Sequence, residues 1–151
     1  MPHCRTCKFP QSMVILYFTA YLIGNRAQGA AQAVEDGAVL GALFERIEHR
    51  SQIPDLLTIY ERLRKERTTR VVKSSTALRD IFHMVDGDRQ QERNRQLLEH
   101  APFEGYPNRW ADPVFQPWLF GYDAFAEVDA AWKRYQQGTF PGTAGRYRSN
   151  M

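Results

Sequence analysis

The chain has 151 residues, a formal net charge of +3 and a pI of about 9.0. This length allows one domain at most, and hydrophobic and aromatic contents of 43% and 13% are sufficient for a buried core. Acidic and basic residues are interleaved and do not cluster by sign, so we expect no nucleic-acid partner.

The first 26 residues contain one long apolar run, MVILYFTAYLI, at residues 13–23. Eleven residues are too few to span a bilayer, which takes about 20, so we expect no membrane span and a cytoplasmic location. With Arg5 and Lys8 ahead of it, the run also resembles a secretory signal, and a buried strand or a short helix fits it equally well.

Two cysteines, Cys4 and Cys7, form a single Cys-x-x-Cys pair. A structural zinc site needs four ligands, and no second cysteine pair or spaced histidine pair follows. A redox motif would need a strand before it and a helix after it, and neither is evident. We therefore treat this pair as incidental and predict no metal site.

Helical periodicity starts near Gln28 and continues to about Ile47. One broad apolar face is predicted, and a narrow line of small residues runs beside it. The predicted apolar face comprises Val34, Val39, Leu40, Leu43, Phe44 and Ile47, and the small residues are Ala30, Ala33, Gly37 and Gly41. Glycine in a helix interior costs about 1 kcal/mol, so the two glycines favour close packing of this helix on another element.

A second, much longer amphipathic helix of about 30 residues is predicted from Pro54 to Phe82. Its charged run at residues 62–73 contains acidic and basic side chains but no aromatic ones. We interpret this run as a solvated, ion-paired face and not as a phosphate site.

The remaining chain contains two shorter helices and an irregular segment. A polar helix is predicted at residues 89–100, and a helix at residues 123–137 is closed by Gly138. Between them, prolines separate seven aromatic residues at 101–122, a pattern that favours a strap packed over apolar surface, with a ligand wall as the alternative. Residues 139–151 are glycine-rich and basic, so they are predicted to be a disordered tail.

The start of the first helix has the features of an anion-binding site. Unpaired amides and the positive end of the helix dipole favour an anion or an oxygen that gains negative charge. At this start, Gly29, Ala30 and Ala31 have side chains too small to block such an approach.

Several blocks of sequence, in order, resemble FAD-dependent aromatic monooxygenases of the salicylate-hydroxylase type. The blocks are QGAAQAVEDGAVL (28–40), IPDLL (53–57), Tyr60 and Glu61, Arg64, RTTRVV (67–72), QQER (90–93), PNRW (107–110) and WLFGYD (118–123). The resemblance implies a mainly α chain: the helical C-terminal portion, residues 27–138, of an α/β FAD-binding fold without its dinucleotide-binding sheet.

The resemblance also implies a function. In this family FAD and NADH or NADPH are used to hydroxylate an aromatic, phenolic substrate, and the flavin is contacted at the positions of Gln28, Gly29, Ala30 and Ala31. No side chain here inherits a catalytic acid or base role, and no metal is implied.

The family's Gly-x-Gly-x-x-Gly turn is missing from the 151 residues, as are its Gly-Asp and His-Pro blocks ahead of Gln28. We therefore expect a partial monooxygenase, inactive as this chain, whose first 26 residues are unrelated or mis-joined. The alternative is a non-enzymatic helical interaction module that associates with itself or a partner through an exposed apolar face. A secreted helical protein is a third interpretation.

Overall fold

The computed structural model describes residues 28–143, which form five α-helices and no strand. The helices are α1 (Gln28–Phe44), α2 (Ile53–Phe82), α3 (Asp88–Glu99), α4 (Phe115–Phe120) and α5 (Ala124–Gln136), and a 3₁₀ turn at Arg50–Gln52 precedes α2. The prediction of a mainly α chain is confirmed. The apolar run at 13–23 and the Cys4–Cys7 pair lie outside the described residues.

The predicted long helix is present as α2, which has 30 residues and carries Pro54 in its first turn. Proline is tolerated there because the amides of a first turn have no partner inside the helix. By contrast, α1 ends at Phe44, three residues before the predicted end. The irregular segment also contains a short helix, α4, that the sequence did not predict; its Pro117 again occupies the first turn.

The described residues belong to two compact units. The first comprises residues 28–68 and 124–143, so it contains α1, the first half of α2, and α5. Its core is formed by apolar side chains that recur at helical spacing on the three helices. These are Val39, Ala42 and Leu43 of α1, Leu56, Ile59 and Tyr60 of α2, and Val128, Ala131, Trp132 and Tyr135 of α5, together with Phe140.

The end of α5 is closed by Gly138, as predicted, at a φ of +69°. Its amide donates to the carbonyl of Tyr135 at 2.9 Å, and the amide of Thr139 donates to that of Arg134 at 2.9 Å. This pair of bonds is the Schellman motif, which requires the left-handed conformation that glycine adopts at no steric cost.

The predicted disordered tail is wrong in its first five residues. Phe140 is 4% exposed and Thr143 3% exposed, so the folded part of the first unit continues through residue 143. The prediction was made from the overall composition of the tail and missed that one aromatic residue, Phe140, returns to the core. The rest of the tail lies outside the described residues.

The second unit comprises residues 69–123 and contains the second half of α2, α3, the irregular segment and α4. In the irregular segment Tyr106 and Leu119 are buried, and the Tyr106 hydroxyl donates to the carbonyl of Gln96 in α3 at 3.0 Å. Other aromatic side chains of the strap are partly exposed to solvent: Phe103 is 46% exposed, Trp110 43% and Phe120 59%. The predicted packing therefore holds for part of the strap.

Between residues 28 and 143, no helix combines the length and the apolar character needed to cross a membrane.

Candidate functional site

The predicted flavin-contacting positions lie on the first turn of α1. Gly29 is half-buried, and Ala30 and Ala31 are exposed. The side chain of Gln28 and all residues before it lie outside the described part of the chain. The flavin role of Gln28, Gly29, Ala30 and Ala31 stays a prediction.

The polar side chains that follow Gln28 in α1 point inward. Gln32 is fully buried, Asp36 is 1% exposed, and the Glu35 side chain is 20% exposed. They are the only polar side chains of the helix beyond Gln28. Amphipathic surface helices place such residues toward water, so α1 has the reverse of the usual arrangement.

These three side chains meet two arginines of α2. The Arg64 side chain is completely buried; its Nε donates to Asp36 Oδ1 at 2.5 Å and its Nη1 to Glu35 Oε2 at 2.7 Å. Its Nη2 donates to Gln32 Oε1 at 2.9 Å. One helical turn further, Arg67 is 6% exposed and donates to the two oxygens of Glu35 at 2.6 and 2.7 Å. We call these five residues, Gln32, Glu35, Asp36, Arg64 and Arg67, the charge cluster.

The charge cluster is electrically balanced, with two carboxylates against two guanidinium groups. Burial alone would raise the pKa of Glu35, but the hydrogen bonds and positive charges of Arg67 and Arg64 outweigh it and hold that pKa below its usual value. Burial and the nearby Asp36 carboxylate raise the pKa of the Tyr60 hydroxyl well above its usual value. Glu35 is therefore ionised, and Tyr60 neutral, over the physiological pH range.

This arrangement corrects one prediction. The run at residues 62–73 is only partly a solvated face, because Arg64 and Arg67 are buried against α1. Glu35 binds both arginines, and Asp36 binds Arg64. The sequence did contain a sign of this pairing. Both arginines recur at helical spacing with the apolar residues of α2, and no lysine or arginine lies near the two acids of α1 in the sequence.

The opposite face of α1 is apolar and uncovered by any described residue. Val34 is 72% exposed and Phe44 48% exposed, which contradicts their predicted place on the buried face. Gly37 and Gly41 are exposed too, and a Cβ atom at either position would meet nothing within 4 Å. The close packing expected at these glycines is therefore absent among the described residues. We call this surface, defined by Ala30, Val34, Gly37, Gly41 and Phe44, the outward face.

The second unit contains a separate polar centre at Asp112, which is 1% exposed. Its carboxylate accepts hydrogen bonds from the amides of Gly105, Val114 and Phe115, each at 2.9 Å, and from Arg109 at 2.8 Å. Burial would raise the pKa of Asp112, but these donors lower it to about 2. Four donors use its acceptor capacity, so Asp112 has a structural role: it holds the turn that leads into α4.

Beside this turn, the Arg70 guanidinium of α2 lies 3.9 Å from the centroid of the Trp118 ring. A cavity of about 300 Å³ there is lined by Arg70, Lys73 and Ser74 and by residues of the strap. The alternative interpretation, in which the strap forms a wall of a ligand site, stays open because this cavity lies beside the strap. No group of three His, Cys, Asp or Glu side chains within residues 28–143 is arranged to hold a metal ion.

Comparison with known proteins relates this chain to flavin enzymes, although no family model matches it. It is 45% identical over 106 residues to the FAD-dependent monooxygenase OpS4 of Beauveria bassiana, a match that covers 70% of this chain and 25% of the relative. It is 39% identical over 69 residues to 6-methylsalicylate 1-monooxygenase of Aspergillus terreus, covering 43% of this chain and 16% of that enzyme.

A bacterial relative gives the same indication. The 3-hydroxybenzoate 6-hydroxylase of Polaromonas naphthalenivorans is 33% identical over 98 residues, covering 64% of this chain and 22% of the enzyme. The chain thus spans about a quarter or less of the length of these relatives. From these matches and the helical architecture we conclude that the chain is homologous to a helical part of the FAD-dependent monooxygenases.

Proposed function

We propose that this chain is the part of an FAD-dependent aromatic monooxygenase that contacts the flavin, through the main chain of Gln28, Gly29, Ala30 and Ala31. The complete enzyme would use NADH or NADPH and hydroxylate an aromatic, phenolic substrate. The similarity to OpS4 and the names of relatives that act on 6-methylsalicylate and 3-hydroxybenzoate support this class of substrate.

The single observation that supports the proposal most directly is the outward face of α1. An exposed helix face without any charged side chain is unusual, and a contiguous apolar surface marks a place where another part of a protein or a ligand binds. Its small side chains allow a flat ring or a neighbouring backbone to approach α1 closely. This face continues to the first turn, where Ala30 and Ala31 are exposed.

The residues present fit one end of FAD. Main-chain amides at the start of a helix, with the dipole behind them, suit an electron-rich ring edge or a phosphate. FAD, when bound, supplies the redox chemistry, and this chain supplies orientation and positive potential. No described residue forms the strand and glycine-rich turn that would hold the ADP half, so we propose that the chain alone binds FAD weakly and is inactive.

A chimera tests the flavin contact. Residues 28–137 of this chain would replace the homologous quarter of OpS4, and the purified protein would be examined for co-purified flavin by absorbance and for NADH- or NADPH-dependent hydroxylation. We expect the chimera to retain FAD, and we expect Gly29→Val to lose it while Thr76→Val, at an exposed position of α2, retains it. A folded chimera without flavin, or one unaffected by Gly29→Val, would refute the assignment.

The isolated chain is tested separately by adding FAD and measuring quenching of the flavin fluorescence. We expect no saturable quenching at micromolar protein and no FAD-dependent oxidation of NADH or NADPH. Saturable micromolar binding accompanied by turnover would show that the chain is active by itself.

The second candidate function is a helical interaction module that associates with itself, which the exposure of Val34 and Phe44 favours. Light scattering coupled to size exclusion would give its mass. We expect a concentration-dependent increase above 17.5 kDa, abolished by Val34→Glu with Phe44→Glu and unchanged by Glu61→Gln on α2. A monomer at all concentrations would rule this function out. We also propose a cytoplasmic location, which fractionation of the native host would test.

A further inference from the structure

Helix α1 is apolar on two opposite faces. The inner face buries Val39 and Leu43 in the core of the first unit, and the outward face exposes Val34 and Phe44. Each face thus carries a valine and a larger apolar side chain, and the inner face adds Ala42 and the partly buried Leu40. Hydrophobic burial is non-directional and roughly proportional to area, so it favours burial of the inner face but does not fix the rotation or the register of α1.

The charge cluster is directional where apolar packing is not. A planar guanidinium matches carboxylate and amide oxygens only in a fixed geometry. Arg64 contacts three successive inward positions of α1, namely Gln32, Glu35 and Asp36. Only one rotation of α1 about its axis places all three of them toward α2.

The second arginine fixes α1 along its axis. Arg67 lies one turn after Arg64 on α2, and it binds both oxygens of Glu35. Sliding α1 by one turn would move Glu35 out of reach of one arginine and leave the completely buried Arg64 without its matched acceptors. Leaving a buried charge unpaired is strongly unfavourable, so the alternative placements are penalised.

We propose that the charge cluster selects which face of α1 points outward, with Arg64 as its positioning residue. The cluster acts as a device for structural specificity: it turns the small, uncharged face away from α2 and α5. This inference goes beyond the proposed function, because it concerns how this chain presents its outward face and does not require FAD to bind.

Buried ionic groups do not always have this role. A buried ion-pair set can often be replaced by well-packed apolar residues with no loss of stability, and in some proteins the structure stays unique after the replacement. The proposal therefore predicts a specific separation: stability survives the replacement, while the choice of outward face does not.

Thiol labelling of the 151-residue chain tests this prediction in a background with Cys4→Ser and Cys7→Ser. Two single reporters are used, Gly37→Cys on the outward face and Val39→Cys on the inner face. In the parent protein the first thiol reacts quickly with a maleimide and the second is protected. The ratio of the two labelling rates is the face contrast.

The test variant replaces the four charges with apolar side chains: Arg64→Met, Arg67→Met, Glu35→Leu and Asp36→Leu. We expect it to keep a cooperative thermal transition and to lose at least tenfold in face contrast. A control carries Glu61→Gln and Lys65→Met, which remove an exposed ion pair of α2 with an N–O distance of 3.4 Å. We expect the control to keep the parent contrast.

A folded apolar variant that keeps the parent contrast would overturn the proposal, as would an equal loss of contrast in the control. If the apolar variant lacks a cooperative transition, the pair Glu35→Gln with Asp36→Asn decides the question, because it removes the negative charges at nearly constant volume. A tenfold loss of contrast in that pair supports the proposal, and an unchanged contrast overturns it. None of these measurements depends on flavin binding, so the proposed function and this inference can fail independently of each other.

Discussion

Replacing Arg64 with methionine tests the energetic importance of the buried cluster most directly. Methionine keeps much of the apolar stem of arginine, so the change removes the guanidinium with limited loss of packing. The variant loses the hydrogen bonds to Asp36 at 2.5 Å, to Glu35 at 2.7 Å and to Gln32 Oε1 at 2.9 Å. Glu35 keeps its partner Arg67, but Asp36, at 1% exposure, becomes a buried charge without its cation.

The expected loss follows from that buried carboxylate. Removing one partner of a buried ion pair costs about 3–5 kcal/mol, since the remaining charge stays desolvated and uncompensated. Domains are stable by about 5–15 kcal/mol, so this single change removes a large part of the total. In a protein of this size, we expect the melting temperature to fall on the order of 10 °C.

Chemical denaturation and thermal melting, both followed by far-UV circular dichroism at pH 7, measure this loss. The matched control is Arg62→Met, an arginine two positions earlier on the same helix whose side chain is exposed. We expect the control to change stability by less than about 0.5 kcal/mol. A loss below 1 kcal/mol for Arg64→Met, or equal losses in both variants, would contradict the derivation from burial and pairing.

Three further predictions concern single positions. The pKa of Asp112 is about 2, against an ordinary 3.8. Because this pKa is lowered in the folded state, the ionised carboxylate adds about 2 kcal/mol to the free energy of unfolding above pH 4. This contribution is lost as the pH falls toward 2. Asp112→Asn should therefore lower the melting temperature at pH 7 and have little effect near pH 2, whereas the exposed Asp80→Asn should have little effect at either pH. Gly138→Ala should lower the free energy of unfolding, measured by urea denaturation, by about 1 kcal/mol, because alanine is strained at a φ of +69°. An unchanged urea midpoint would refute the Schellman motif at the end of α5. Gly37→Ala should add about 0.5–1 kcal/mol, because it removes a flexible residue from a helix interior with open space at the Cβ position; a loss of stability in the same assay would show that this face is packed.

The helices of this chain were predictable because periodicity and end signals act locally. Pro54 in the first turn of α2, the break after Phe82 and Gly138 beyond α5 each depend on a few neighbouring residues. The family was predictable for a related reason, since blocks of sequence spread over residues 28–123 match it in order. The short helix α4 was missed because its six residues, FQPWLF, lie among prolines and are too few to show a helical period.

The orientation of α1 was not predictable from its own sequence. Its apolar residues surround the helix, and a periodicity argument placed Val34 and Phe44 with Val39 and Leu43 on one broad face. The structure separates them: Val39 and Leu43 are fully buried, whereas Val34 is 72% exposed. The deciding contact comes from Arg64, 28 residues after Asp36 in the sequence.

The amino-acid sequence alone determined the helical elements, most of their ends and the relation to FAD-dependent monooxygenases, because these depend on local spacing and on ordered motifs. Only the tertiary structure decided that Arg64 and Arg67 are buried and that the small residues of α1 face outward. The reason is physical: the energy of a buried charge depends on the partner that meets it in space, and that partner lies on another helix.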